Sequence, residues 1–215
     1  MPLFLKLVFL PLVISLMSVY AHAHPHAWID VKTYVDGEDK KVYGINMVWR
    51  FDPMSSSYLL EGRAADKRLE GQQADKNLER IAKGLIDSLK RDAFFTQVSW
   101  NQEILQGLNA SLERVTLEGL DVVFSFYLGF DEPLLLDEGQ LSIQVFDPSY
   151  FIEMAWPSEH EITLSEALSS TCERRLLESS PNLAQISQAW AMPIDASQDL
   201  TLGAAFAQQS QIVCQ

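Results

Sequence analysis

Tyr43-Gly44-Ile45-Asn46-Met47-Val48-Trp49-Arg50-Phe51 is the stretch whose reading decides the fold. Tyr43, Ile45, Met47, Trp49 and Phe51 alternate with Gly44, Asn46 and Arg50, the two-residue period of a strand with one apolar face. Upstream, Ile29, Val31, Thr33 and Val35 alternate in the same way with Asp30, Lys32 and Tyr34. Between the two runs lies the turn-rich Asp36-Gly37-Glu38-Asp39-Lys40-Lys41. Alternation on both sides of a polar turn predicts an antiparallel hairpin. Asp52-Pro53 ends its second strand, because proline has no N–H to give a ladder.

Downstream, residues 54–60 read as a short helix with Ser55 to Ser57 as its polar start. Over residues 73–91, Leu78, Ile81, Leu85 and Leu89 recur at helical spacing and Ile86 widens the stripe. This predicts a half-buried helix, weakened slightly by Gly84, with Phe94 and Phe95 packed beneath it. Strand patterns return over residues 97–105, 112–117, 122–130 and 141–146, the most apolar being the central candidate Val122-Val123-Phe124-Ser125-Phe126-Tyr127-Leu128. Asp131-Glu132-Pro133 and Asp137-Glu138-Gly139 read as turns, and Asp147-Pro148-Ser149-Tyr150-Phe151 interrupts the sheet again. Beyond Cys172 the pattern is less regular, with a loop at Ser179-Ser180-Pro181-Asn182, a helix over 202–208 and a short strand over 212–214. The expectation is one α+β domain over residues 24–215: a mostly antiparallel sheet with one long amphipathic helix packed on it and a C-terminal disulfide.

Residues 1–23 form a leader. Lys6 is their only charge, Leu7 to Val19 supply an apolar centre, and Ala21-His22-Ala23 is a small-x-small cleavage site. The rival, an uncleaved anchor, needs about 20 apolar residues, and Pro11 interrupts this shorter run. Cleavage predicts an exported protein, periplasmic in a Gram-negative host, that begins at His24 and has no membrane span after processing.

The chain carries a net charge of −13, and losing Lys6 with the leader makes it one unit more negative. Such a surface excludes nucleic acid, which requires a basic footprint. Cys172 and Cys214 are the two cysteines. In an oxidising compartment a lone pair reads as a structural disulfide, with a thiolate metal pair as the weaker alternative. No GxSxG, Walker, HExxH or CxxC motif occurs, and no carboxylate pair stands out as acid and base, so no enzyme is expected.

After processing three histidines remain, His24, His26 and His160, two of them within the first three residues. Imidazole is the commonest nitrogen ligand for zinc, nickel and copper. The α-amine and imidazole of His24 can close a chelate, and His26 adds a second imidazole. Pro25 lacks the N–H whose loss a square-planar amino-terminal copper site requires, which favours a tetrahedral or octahedral site completed by carboxylates. An extended start places His26, Trp28 and Asp30 on one face. Asp52 and Asp147 each precede a proline at a strand end. The candidate metal ligands are therefore His24, His26 and Asp147, with Asp30 and Asp52 behind them. For the two Asp-Pro pairs plain turn initiation is the rival reading, and for His160, between Glu159 and Glu161, a solvated loop.

Four segments together resemble a known family: His24-Pro25-His26-Ala27-Trp28-Ile29-Asp30, Val48-Trp49-Arg50-Phe51-Asp52, Phe146-Asp147-Pro148-Ser149-Tyr150-Phe151, and Leu202-Gly203 with Phe206-Ala207-Gln208, Ile212 and Cys214. The family is the uncharacterised periplasmic one labelled as the periplasmic component of an ABC-type transport system, which includes the Zev-type zinc-uptake component. The likeness runs from residue 24 to 214. It implies a periplasmic accessory for transition-metal transport that handles Zn2+, or Ni2+ or Co2+, beside an inner-membrane permease of the nickel/cobalt type. The competing expectation is a structural module that docks on an envelope transporter without touching metal.

Overall fold

The hairpin forms as β1 (Ala27–Glu38) and β2 (Lys41–Phe51), with Ile29 opposite Phe51, Val31 opposite Trp49 and Thr33 opposite Met47. Asp39 and Lys40 close it, both left-handed with φ of 49° and 59°, as a two-residue turn matched to the strand twist requires. The computed structural model describes residues 27–60, 72–136, 139–149, 151–192 and 199–214. Residues 1–23, with the leader pattern, and His24 and His26 lie outside the described residues, as do Asp137, Glu138 and Tyr150.

One residue of the deciding stretch sits on the wrong face. Gly37 pairs with Val42 and Asp36 with Gly44, so Tyr43 is an extra residue in the ladder. A bulge reverses the phase of the alternation, so Val42 is buried and Tyr43 is exposed. Gly44 is required beside it: a Cβ there would meet the Leu128 carbonyl and the Tyr127 ring.

Two sheets replace the single sheet expected. The first has the order β5 (Asn109–Glu118), β6 (Asp121–Leu135), β2, β1, β8 (Ile152–Ala155), with β9 (Ile162–Leu164) also along β1. The pairings of β8 and β9 with β1 are parallel; the rest are antiparallel. The second sheet is antiparallel throughout: β10 (Cys172–Leu177), β11 (Gln209–Cys214), β7 (Gln140–Val145), β3 (Thr96–Trp100), β4 (Glu103–Ile104).

Two boundaries move for physical reasons. The strand expected over 97–105 is a hairpin, because Asn101 and Gln102 adopt φ of 48° and 72° and turn β3 into β4. Asp131-Glu132-Pro133 is no turn but part of β6. Pairing with β2 lapses between Gly129 and Leu134, so Pro133 sits where no ladder N–H is needed.

Among the described residues there are five α-helices: α1 (Pro53–Leu59), α2 (Gln72–Leu89), α3 (Glu166–Ser169), α4 (Leu183–Ala191) and α5 (Leu200–Phe206). The eighteen-residue α2 lies against the edge strand β5, burying Ala82 and Leu89 and half-burying Leu78, Ile81, Leu85 and Ile86. At its end the backbone reverses through Ala93, Phe94 and Phe95, whose φ values are 48°, 57° and 50°. Left-handed non-glycine residues cost about 1–2 kcal/mol each. The reversal buries Phe94 and stacks Phe95 on Trp49, with ring centroids 6.4 Å apart.

Inward residues of both sheets make one hydrophobic cluster, including Val31, Met47, Trp49, Phe124 and Phe126 from the first and Val98, Ile143 and Ile212 from the second. Trp49 meets Phe126 edge-on at 5.0 Å and Phe124 at 6.1 Å. Full burial of each such side chain contributes about 1.5–3 kcal/mol. Cys172 and Cys214 face each other across β10 and β11 and are joined, with an S–S distance of 2.05 Å.

Candidate functional site at the start of the first strand

The entrance to the described fold is the start of β1 at Ala27, the residue that follows His26 in the sequence. Two aspartates hold this entrance from opposite sides. Asp52 follows β2 and caps α1: its Oδ1 accepts the N–H groups of Met54 at 2.8 Å and Ser55 at 3.0 Å. Its Oδ2 accepts the Ser55 hydroxyl and, across 24 residues, the Trp28 N–H at 3.1 Å. Burial alone would raise the Asp52 pKa, but the hydrogen bonds from the Ser55 side chain and from the Ser55, Trp28 and Met54 amides outweigh it and leave it lowered.

Asp147 acts on the other side. It is 4% exposed and its oxygens accept the Ser149 N–H at 2.8 Å, the Ser149 hydroxyl at 2.7 Å, and the Phe151 and Ile152 N–H groups at 3.0 Å each. Ile152 begins β8 and lies beside Ala27, with Glu153 beside Trp28. Asp147 therefore shapes the loop that delivers β8 to the start of β1.

An ionised carboxylate offers about four lone-pair sites, and both aspartates fill theirs with donors of the chain itself. In this arrangement they position backbone, and a cation would have to compete with those donors. Asp30 differs. It points outward, opposite Arg50 in the register, but the Arg50 guanidinium is taken by Asp121, at 2.7 Å from Nη2 and 3.0 Å from Nε. Trp28 and Asp30 share the outer face, as the extended start predicts. His160 is exposed in the short turn Glu159–Glu161. Among the described residues no group of three or more His, Cys, Asp or Glu side chains gathers to hold a metal ion.

Two features have weak sequence signals. A cavity of about 410 Å³, lined by Phe95, Leu105, Leu108, Phe146 and Pro148, opens beside the left-handed run at Ala93 to Phe95. Non-glycine residues in that conformation leave no mark in composition. The outer face of the second sheet presents Gln97, Ser99, Ser142, Gln144, Gln209 and Gln211, with no charged side chain lining its shallow depression. Its polar alternation is visible in β7 and β11, but nothing in it names a ligand.

Fold and site define a class: a two-sheet, disulfide-closed α+β protein whose strand β1 starts between two structural aspartates. The family model described as "Protein of unknown function (DUF1007)" matches residues 9–214, and the chain belongs to that family. It is similar to an "Uncharacterized protein" of Haemophilus influenzae, 29% identical over 199 residues, which span 90% of this chain and 92% of the relative. Among the described residues no helix is long and apolar enough to cross a membrane.

Proposed function

We propose that the protein is an exported accessory of a transition-metal transport system, carrying Zn2+, or secondarily Ni2+ or Co2+, as cargo beside an inner-membrane permease of the nickel/cobalt type. The observation that carries this reading is the rigid root at Ala27–Trp28. Asp52 holds it on one side and the Asp147-shaped loop on the other, and His24 and His26 precede Ala27 in the sequence by three residues and one. His24 and His26 are the donors in this reading. Asp52 and Asp147 hold the start of β1 that follows them in the sequence, and the exposed Asp30 is the carboxylate on the outer face of that strand. The Cys172–Cys214 disulfide and the leader pattern support an oxidising compartment. The role is carriage, with no catalytic step.

Equilibrium dialysis of protein beginning at His24 tests the reading. Zn2+ binding should weaken by about tenfold or more in His24→Ala and in His26→Ala, comparable to the loss of a single supporting group at a metal site. Absent binding, or binding that survives the double change, removes it.

The second reading is an interaction module that binds no metal. The fully occupied oxygens of Asp52 and Asp147 favour it. It expects a melting temperature that ignores added zinc, whereas a ligand specific to the native state raises it.

A further inference from the structure

Near the start of β1 several large apolar side chains are partly or largely exposed: Trp28 is 49% exposed, Met54 64%, Tyr58 85% and Phe151 41%. The two aspartates tie the backbones of Trp28, Met54 and Phe151 to this entrance. Asp52 accepts the N–H groups of both Trp28 and Met54, and Met54 and Tyr58 lie four residues apart on α1, hence on one helix face. Asp147 accepts the N–H of Phe151, one residue before the strand that pairs with Ala27 and Trp28. Single exposed apolar residues are ordinary; a cluster of two aromatics, a tyrosine and a methionine marks a contact surface.

Charge selects the occupant. Asp30 and Glu153 are exposed on the same outer face, Asp30 two residues along β1 from Trp28 and Glu153 directly opposite Trp28. The nearest cation in the register, Arg50, is engaged by Asp121 and lies 3.8 Å from Glu118. Arg50 stands opposite Asp30 but is shared with Asp121 and Glu118. An apolar patch with more carboxylates than cations beside it therefore repels an anionic lipid surface and a second copy of this acidic chain, and it attracts a cationic, apolar segment. We infer that Trp28, Met54, Tyr58 and Phe151, flanked by Asp30 and Glu153, form the docking surface for a basic, apolar segment of a partner protein.

A photo-cross-linking amino acid at position 58, with a second protein carrying it at the exposed Leu183 as the control, tests this in cells of the source organism. Mass spectrometry of the adduct should show a partner peptide rich in Lys or Arg with apolar anchors. Its yield should exceed the control's several-fold and fall about threefold or more in Asp30→Asn with Glu153→Gln, as loss of steering charges slows association. Both changes are on the surface, and unchanged melting shows that the fold is retained. An adduct with lipid, with a second copy of this chain or with an acidic peptide, or a yield equal to the control's, overturns the inference. The same cross-link is read in protein carrying His24→Ala and His26→Ala, so loss of metal binding and loss of this contact are separate results.

Discussion

Asp52 and Trp28 are joined twice: the Asp52 carboxylate accepts the Trp28 N–H at 3.1 Å, and the Asp52 N–H donates to the Trp28 carbonyl at 3.0 Å. The end of β2, the start of α1 and the start of β1 thus meet at one residue. Asp52→Ala loses the helix cap and the Trp28 anchor together. Caps alone contribute about 0.5–2 kcal/mol, so a loss of about 2 kcal/mol is expected in urea unfolding, with Asp52→Asn milder because one oxygen still caps.

The same residue sets an acid dependence. Burial opposes ionisation of Asp52, but its hydrogen bonds prevail and its native pKa is lowered. A depressed native pKa contributes stability that is present above the unfolded carboxylate value of about 3.9 and is lost as pH falls through the native one. The stability gap between wild type and Asp52→Asn should be constant near neutrality and narrow only in acid below about pH 4. A gap that is flat down to full acid denaturation would show that the carboxylate charge contributes nothing.

Asp147 is the stronger lock. Its replacement by Ala removes the acceptor of the part-buried Phe151 and Ile152 amides and of the Ser149 groups, each such bond contributing about 0.5–1.5 kcal/mol, or more when the acceptor is charged. A loss of about 2–4 kcal/mol is expected from the four bonds together. Hydrogen exchange at Phe151 and Ile152 should accelerate before that of the β2 amides. Uniform acceleration everywhere would mean that Asp147 does not act through this loop.

How far these roles were legible can be followed residue by residue. Alternation gave the faces of β1 and most of β2, because one side of each strand is buried and the other is wet. It failed at Tyr43, where an inserted residue changes phase without any change in hydrophobic pattern. Asp-Pro at 52 and 147 was readable both as turn chemistry and as a candidate ligand; only the position of distant donors, Trp28 for one and Ile152 for the other, shows what the oxygens do here. The second sheet was hidden because β3, β7 and β11 are separated by long stretches of chain, and pairing across such distances depends on closure that no local window reports. The run Ala93-Phe94-Phe95 was invisible for a different reason: its left-handed backbone is imposed by the burial of Phe94 and the stacking of Phe95 on Trp49, against local preference.

Tyr127 predicts behaviour at the alkaline end. Its hydroxyl donates to Asp36 Oδ2 at 3.1 Å, and burial together with that carboxylate pushes its pKa up to about 12. A native pKa above the unfolded value of about 10 means full stability below that value and a decline as pH rises through the native one. Tyr127→Phe should flatten the decline while costing about 1 kcal/mol at neutral pH for the lost hydrogen bond. Tyrosinate absorbance should show one group titrating late in the wild type and absent from the variant.

Trp49 and Trp156 offer a paired test of what the core tolerates. Both are essentially fully buried. The Trp156 Nε1–H donates to Thr33 Oγ1 at 2.9 Å, whereas the Trp49 Nε1–H has no partner among the described residues. Trp→Phe at either site removes ring volume and leaves a cavity, a cost shared by the two. At position 156 it also removes the donor to Thr33 Oγ1, whose hydroxyl keeps only its weak bond to Met47 Sδ at 3.8 Å; at position 49 it removes a buried donor that already carries a desolvation penalty of about 1–3 kcal/mol. Trp156→Phe should therefore be the more destabilising change, by about 1–2 kcal/mol, in matched urea titrations. Equal losses would mean that the Trp49 N–H is satisfied in solution, and the reverse order would mean that its packing against Phe95, Phe124 and Phe126 outweighs the hydrogen bond of Trp156.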